Sequence, residues 1–146
     1  MVVTSSRAAA GVSPRRSGEL VGVAGTALVA VAAGVCLALV NPHVPGSYPT
    51  CPLFALTGLF CAGCGSMRAV HDLTHLDLAG AWGMNPLLVL VLPFLAASWL
   101  AWARRAWTGL PRRWIAPGWA VWVIFGVIVA YSVLRNVPVL APWLAP

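Results

Sequence analysis

The feature that most constrains the fold is an apolar run, Leu20 to Val40, that contains no charged residue. A helix of this length rises about 1.5 Å per residue and covers roughly 30 Å, the thickness of a bilayer's hydrocarbon core. Asn41 and Pro42 then end the run. The run therefore predicts a transmembrane helix, and the rest of the chain has to be compatible with a membrane.

Composition extends this conclusion to the whole chain. Of the 146 residues, 60% are hydrophobic and 8% are charged, whereas about a quarter of the residues in a soluble domain are charged. We predict an all-α membrane protein with three transmembrane helices. A Cys/Gly-rich extracytoplasmic segment, 41–85, connects the first helix to the second and contains a short interfacial helix. The three predicted spans are 20–40, 86–103 and 114–134.

The arginines predict the orientation. All nine basic residues are Arg, and seven of them precede the first run or separate the second from the third. Positive charge accumulates on the cytoplasmic side, so we expect a multipass protein of a bacterial plasma membrane, with segment 41–85 outside. The predicted parts are a disordered cytoplasmic tail at 1–18, a single three-helix membrane domain at 19–136 and a short outer tail at 137–146. The net charge of +6 is explained by topology, and nucleic acid is not an expected partner.

Three cysteines, Cys51, Cys61 and Cys64, lie in the outer segment. Loops in an oxidising compartment form disulfides. The favoured interpretation is a structural disulfide from Cys51 to one of the other two, with Gly63 and Gly65 permitting tight turns. Which cysteines pair is left open.

Two other interpretations of the same cysteines remain. Cys61-x-x-Cys64 has the spacing of zinc ligands, and His71 and His75 are an i, i+4 pair that can share a metal. Cys51 is able to replace one histidine. A CxxC at a helix start is also typical of a redox pair, although the βαβ domain that normally carries one is missing from the sequence pattern.

A short helix is predicted from Ser66 to about His75. On it Arg68, His71, Asp72 and His75 are spaced by three and four residues and share one face. We expect this polar face to be a working surface for interactions. The apolar residues expected to pack on the bundle instead are Met67, Val70, Leu73 and Leu76.

Several single residues are predicted to have local roles. Asn85 is a plausible N-cap for a helix that starts at Pro86 and nothing more, and Asp77 caps another short turn. Arg135-Asn136 follows the third run and is interpreted as an interfacial anchor near lipid headgroups. Cys36, in the middle of the first run, is interpreted as a buried free thiol.

The combined motif resembles the signature of a small bacterial multipass membrane family, catalogued as domain-of-unknown-function family 2752. The resemblance covers about residues 40 to 135 and implies a membrane protein with this outer motif, but no reaction. Ala62 departs from the pattern, because Pro is common there. The matching residues are Cys51-Pro52, Thr57-Gly58, Cys61, Gly63-Cys64-Gly65, Arg68-Ala69 and Asn85-Pro86-Leu87.

The sequence contains no phosphate loop, no serine–histidine–acid set and only three carboxylates. The leading hypothesis is therefore a non-catalytic accessory or assembly subunit of a larger membrane complex, with a disulfide-stabilised cap. Its partners would be the bilayer and other membrane-protein subunits, with no cofactor. The alternative is a thiol redox or metal-handling membrane protein that uses the CxxC and the nearby histidines, with zinc as the metal.

Overall fold

The structure is a computed structural model, and it describes residues 14–111 and 116–146. Those residues form helices connected by loops and turns and contain no strand. The seven helices of the described ranges are α1 (Pro14–Leu39), α2 (Pro52–Thr57), α3 (Ser66–Thr74), α4 (Leu78–Met84), α5 (Pro86–Thr108), α6 (Trp119–Leu134) and α7 (Ala141–Leu144).

The first predicted span is part of α1, which begins earlier than expected. Residues 14–18, predicted to be disordered, belong to this helix. Proline is well tolerated in the first turn, and each residue added to a formed helix gains a hydrogen bond for little further entropy. Residues 1–13 of the predicted disordered tail lie outside the described residues.

Helices α1 and α5 pack against each other along the apolar part of the molecule. Gly22 of α1 lies against the ring of Trp102, so close that a Cβ at this glycine would lie 3.3 Å from it. One turn further on, the indole of Trp99 donates to the hydroxyl of Thr26 at 3.0 Å. The contacts run in opposite directions along the two helices, which are therefore antiparallel.

Both helices are long and apolar enough to cross a membrane. The candidate spans, Arg16–Leu39 and Pro86–Thr108, have mean hydropathies of 2.3 and 2.0. A core helix of a soluble protein would be largely buried, but 0% and 6% of the most apolar stretches of these two are buried. Two exposed apolar helices of this length support the prediction of a membrane protein.

The third predicted span is not confirmed. Helix α6 is apolar but has 16 residues, fewer than the roughly 20 that a span requires. Residues 114 and 115 of the predicted span lie outside the described residues. Residues 116–118 are not helical, because Pro117 cannot donate a backbone hydrogen bond and Gly118 is a poor helix former.

The remaining helices fold together at one end of the molecule. We call residues 41–85 together with residues 131–146 the cap. In it α3 packs on α4 and on the end of α1, and α4 also contacts α5 and α7. The buried residues of the cap include few large apolar side chains, and polar groups occupy much of its interior. Buried residues of the cap are Pro42, Cys64, Ala69, Asp72, Ala81, Asn85 and Arg135.

Candidate functional site

Cys51, Cys61 and Cys64 converge in the cap. The sulfurs of Cys51 and Cys61 are 3.5 Å apart, and those of Cys61 and Cys64 are 3.3 Å apart. All three sulfurs lie within 4.8 Å of one another. They are separate thiols in the structure, at distances from which Cys61 can reach either neighbour.

Cys51 is brought to the cluster by the short helix α2. It is the N-cap residue of α2, followed by Pro52 at the first helical position. The helix ends at Gly58, whose φ of 72° is left-handed and whose N–H closes the last turn on Phe54 at 2.8 Å. The sharp reversal at Gly58 returns the chain, so that Cys61 comes back beside Cys51.

Residues 60–65, which we call the cysteine loop, are held by side chains from the end of α6. Asn136 pairs with both backbone groups of Phe60: the N–H of Phe60 donates to it at 2.9 Å, and its amide donates to the carbonyl at 2.8 Å. The N–H of Ala62 donates to the hydroxyl of Ser132 at 3.0 Å. The loop backbone is therefore paired although it belongs to no regular element.

Arg135 is the centre of this arrangement. Its guanidinium donates to the carbonyls of Cys61 at 2.9 Å and Cys64 at 2.8 Å, and to the carbonyl of Met84 at 3.1 Å. A further donor binds the carbonyl of Leu144 at 2.7 Å. The residue is 0% exposed. The prediction of an anchor near lipid headgroups was therefore wrong, because a planar fork of five donors satisfies several carbonyls at once.

Asn85 was predicted only to cap the start of a helix, but it makes further contacts. It does cap α5, since it accepts from the N–H of Leu88 at 3.0 Å. Its amide also donates to the carbonyls of Ala62 at 2.9 Å and Cys64 at 3.3 Å, and to the hydroxyl of Ser66 at 3.0 Å. At 1% exposure it is a buried link between the cysteine loop and α5. We call Asn85, Ser132, Arg135 and Asn136 the polar clamp.

The two glycines of the cysteine loop have different roles. Gly65 precedes α3 with a φ of 78°, and a Cβ there would lie 2.5 Å from the carbonyl oxygen of Met84. Gly63 has no left-handed φ, and a Cβ there would meet only the Cys61 sulfur, at 3.7 Å. The expected requirement for glycine is found at Gly65 but not at Gly63.

The surroundings of the sulfurs make the thiols chemically different. Backbone N–H donation from Phe54, with further donation from the Cys61 thiol, lowers the pKa of Cys51 to about 7. Burial raises the pKa of Cys64 to about 12. A thiol is reactive as its thiolate, so Cys51 is the thiol of the cluster prepared to react near neutral pH.

The polar face of α3 is only partly at the surface, since Arg68 and His75 are exposed. Asp72 is buried, and one of its carboxylate oxygens is 2.8 Å from a ring nitrogen of His43. His71 lies 2.7 Å from the carbonyl of Leu37 in the last turn of α1, where helical carbonyls lack internal partners. Arg68, in the first turn of α3, is exposed and donates to the carbonyl of Pro42.

The helix orientation therefore differs from the prediction. His71 lies at the end of α1. Of the four residues expected to pack on the bundle, Met67 and Leu76 are exposed, whereas Val70 and Leu73 are half-buried. His75 stays on the exposed side and turns back to the carbonyl of His71 at 2.9 Å. A carbonyl in the last turn of α1 lacks a helical partner and needs a polar one, which accounts for the inward position of His71.

The structure also decides which predicted metal ligands come together. Within the described residues, the group of potential ligands that converges is Cys51, Cys61 and Cys64. His71 and His75 are not members of it, so the Cys/His set is not formed. Sulfurs bound to one zinc at about 2.3 Å lie roughly 3.8 Å apart, close to the separations in this cluster.

Four residues of the site were not identified from the sequence. His43 and Ser132 were not singled out, and Arg135 and Asn136 were interpreted as an anchor near lipid headgroups. One signal was available: Arg135 is an isolated charge at the end of an apolar run, and such a charge is expected to have a specific partner. The partner carbonyls of Cys61 and Cys64 lie more than seventy residues earlier in the chain, so spacing alone does not reveal them.

A family model described as "Protein of unknown function (DUF2752)" matches residues 51–99. The resemblance is confirmed. The match covers about a third of the chain and includes the cysteine loop and Asn85, whereas Arg135 lies beyond it. No curated protein and no solved structure matched the chain.

Proposed function

We propose that this chain is a metal-handling membrane protein whose cap binds a thiophilic metal ion through Cys51, Cys61 and Cys64. The observation that supports it is the convergence of three sulfurs within 4.8 Å. A redox pair needs two thiols, and the sequence pattern lacks the domain that usually carries one. A third thiol at ligand distance is what a soft metal requires.

The polar clamp supports this proposal. A metal site needs ligands held in place by surrounding hydrogen bonds. The backbone of the cysteine loop is paired with Asn85, Ser132, Arg135 and Asn136. Such a loop loses little conformational freedom when an ion binds, and the cost of ordering the ligands is already met by the fold.

The topology of the proposal follows from the arginines. We propose three spans, with α6 and the residues before it forming the third, the N-terminus in the cytoplasm and the cap outside. Thiols outside the membrane are exposed to oxidation, and Cys61 is near enough to either neighbour to form a disulfide. The metal form and a disulfide-stabilised cap would then be the reduced and oxidised states of one cluster.

The test uses the purified full chain in mild detergent. Elemental analysis of protein prepared under reducing conditions should give one thiophilic ion per chain, and Cys51→Ser, Cys61→Ser or Cys64→Ser should abolish it. Cys36→Ser is the matched control, because Cys36 lies on α1 outside the cluster and is exposed rather than buried as its place in the apolar run predicted. Reduced wild-type protein that contains no metal, although its cysteines are recovered as free thiols, would contradict the proposal.

A second candidate is the accessory subunit. It is favoured by α6, whose apolar side chains are exposed and which, among the described helices, is not extensively packed on α1 or α5. Other membrane-protein subunits would complete the bundle. Pull-down in mild detergent followed by mass spectrometry tests it, and a chain recovered repeatedly without a membrane partner would count against it.

A further inference from the structure

We propose that Arg135 is the counter-cation of the three-cysteine cluster, and that the cluster binds one divalent thiophilic ion with its fourth position open to an external donor. This inference rests on the proposed metal function and adds the charge, the coordination and the residue that balances them. The observation behind it is the complete burial of Arg135.

Arg135 is a fully buried charge without an ionic partner. It is 0% exposed, and no carboxylate of the described residues lies within ion-pair distance of it. The ion pair formed within the described residues joins His43 and Asp72. Removing a cation from water costs several kcal/mol unless an opposite charge compensates it. Its contacts are carbonyl oxygens and the ring of Tyr131, 5.3 Å away. These dipoles solvate the guanidinium but carry no net charge.

The compensating charge can come from the cluster. Two of the carbonyls bound by Arg135 belong to Cys61 and Cys64, and the same nitrogen donates to both. The guanidinium therefore lies against the backbone turn that carries these two sulfurs. When the thiols bind a metal they do so as thiolates, and negative charge then develops beside the buried cation.

The charge balance selects the ion. Three thiolates carry a charge of −3, and a divalent ion reduces it to −1, which Arg135 neutralises. A monovalent ion would leave −2 on the cluster and an uncompensated negative charge after Arg135 is counted. Zinc is the common divalent ion that prefers thiolate ligands.

The ligand count selects the coordination. Among the described residues, the converging ligand group contains three sulfurs and no histidine or carboxylate. Structural zinc sites have four protein ligands, whereas zinc sites with three protein ligands keep a position for water or a bound molecule. The cluster matches the second class, so the fourth ligand is water or a donor atom from whatever delivers or receives the ion.

The experiment measures zinc binding by the reduced full chain in detergent without oxygen. Zinc chloride is titrated against a chromophoric chelator, and X-ray absorption gives the ligands. We expect one zinc bound by three sulfurs and one oxygen or nitrogen that ligand exchange can replace. Four protein ligands, or a histidine in the fourth position, would overturn the open site.

Three variants test Arg135 itself. Arg135→Gln removes the charge and should weaken zinc binding by about 10- to 100-fold, the usual effect of losing a residue that supports metal ligands. Arg135→Lys keeps the charge and should bind within about threefold of wild type. Arg68→Gln removes an exposed arginine of the same cap and should leave zinc binding unchanged. Circular dichroism checks that each variant is folded.

The outcomes separate the two proposals. Zinc bound as tightly by Arg135→Gln as by wild type would overturn the counter-cation and leave the metal function intact. Equal losses in folded Gln and Lys variants would make Arg135 a purely structural residue, which also overturns it. If Arg135→Gln does not fold, the Arg135→Lys variant tests the counter-cation. A tenfold loss of zinc affinity in the folded Lys variant would contradict it, and zinc affinity equal to that of wild type would support it. Reduced wild type that binds no zinc would remove the proposed function as well.

Discussion

The apolar helices and the cap of this protein are held together in opposite ways. Helices α1 and α5 leave most of their side chains exposed and touch through small contacts such as Gly22 against Trp102. The cap buries Asn85 and Arg135 completely and connects them to backbone groups from distant parts of the chain. In a bilayer, lipid covers apolar side chains as well as protein does, whereas unpaired backbone groups in a loop need specific donors.

Loss of the buried arginine should produce the largest difference between the two regions. Arg135→Gln leaves several buried carbonyls without their donors, at about 1–3 kcal/mol each, and we expect a total loss of roughly 3–5 kcal/mol. Arg104→Gln, at an exposed position of α5, should change stability by less than about 0.5 kcal/mol. Thermal unfolding in detergent compares the two, and equal effects would show that the clamp does not stabilise the cap.

The glycines of the cysteine loop sharpen the comparison within the cap. Gly65→Ala requires a left-handed residue with a side chain, at about 1–2 kcal/mol, and places its Cβ against the Met84 carbonyl, 2.5 Å away. We expect a loss of at least 2 kcal/mol. Gly63→Ala meets only the Cys61 sulfur at 3.7 Å and should be tolerated. A Gly65→Ala protein as stable as Gly63→Ala would contradict the turn geometry.

The cysteines of the cap should react with alkylating reagents at different pH values. A pKa of about 7, lowered from the usual 9.0, makes half of Cys51 thiolate at pH 7, against roughly one per cent for an unshifted thiol. Metal-free wild type should therefore gain one rapidly alkylated site as pH rises through 7, and Cys51→Ser should lose it. Cys64, whose pKa is raised to about 12, should stay unreactive. Peptide mass spectrometry assigns the sites, and a reactive site that first appears near pH 9 would be inconsistent with donation from Phe54.

The smallest effect is expected between the apolar helices. Thr26→Val removes the hydroxyl that accepts from Trp99 at 3.0 Å. Hydrogen bonds between membrane helices contribute about 0.6 kcal/mol on average, so the variant should unfold within a few degrees of wild type. A loss comparable to that of Arg135→Gln would mean that α1 and α5 depend on polar contacts as the cap does.

Local pattern was sufficient for the features that depend on neighbouring residues. An uncharged run of sufficient length predicted the main part of α1, and Asn85-Pro86 predicted the start of α5, because caps act within three residues. The helix at Ser66–Thr74 and the cap at Asp77 also follow from short-range chemistry. Pro117-Gly118 shows the limit of hydropathy, because the apolar run continues through a stretch that is not helical.

The sequence by itself determined that this chain has helices long and apolar enough for a membrane, and that a cysteine- and glycine-rich segment lies between them. Only the tertiary structure decided which side chains surround the cysteines. Arg135 and Asn136 reach the cysteine loop across more than seventy residues, and His43 reaches Asp72 across 29. These pairings depend on which polar groups the fold brings together in space, and sequence spacing does not record that.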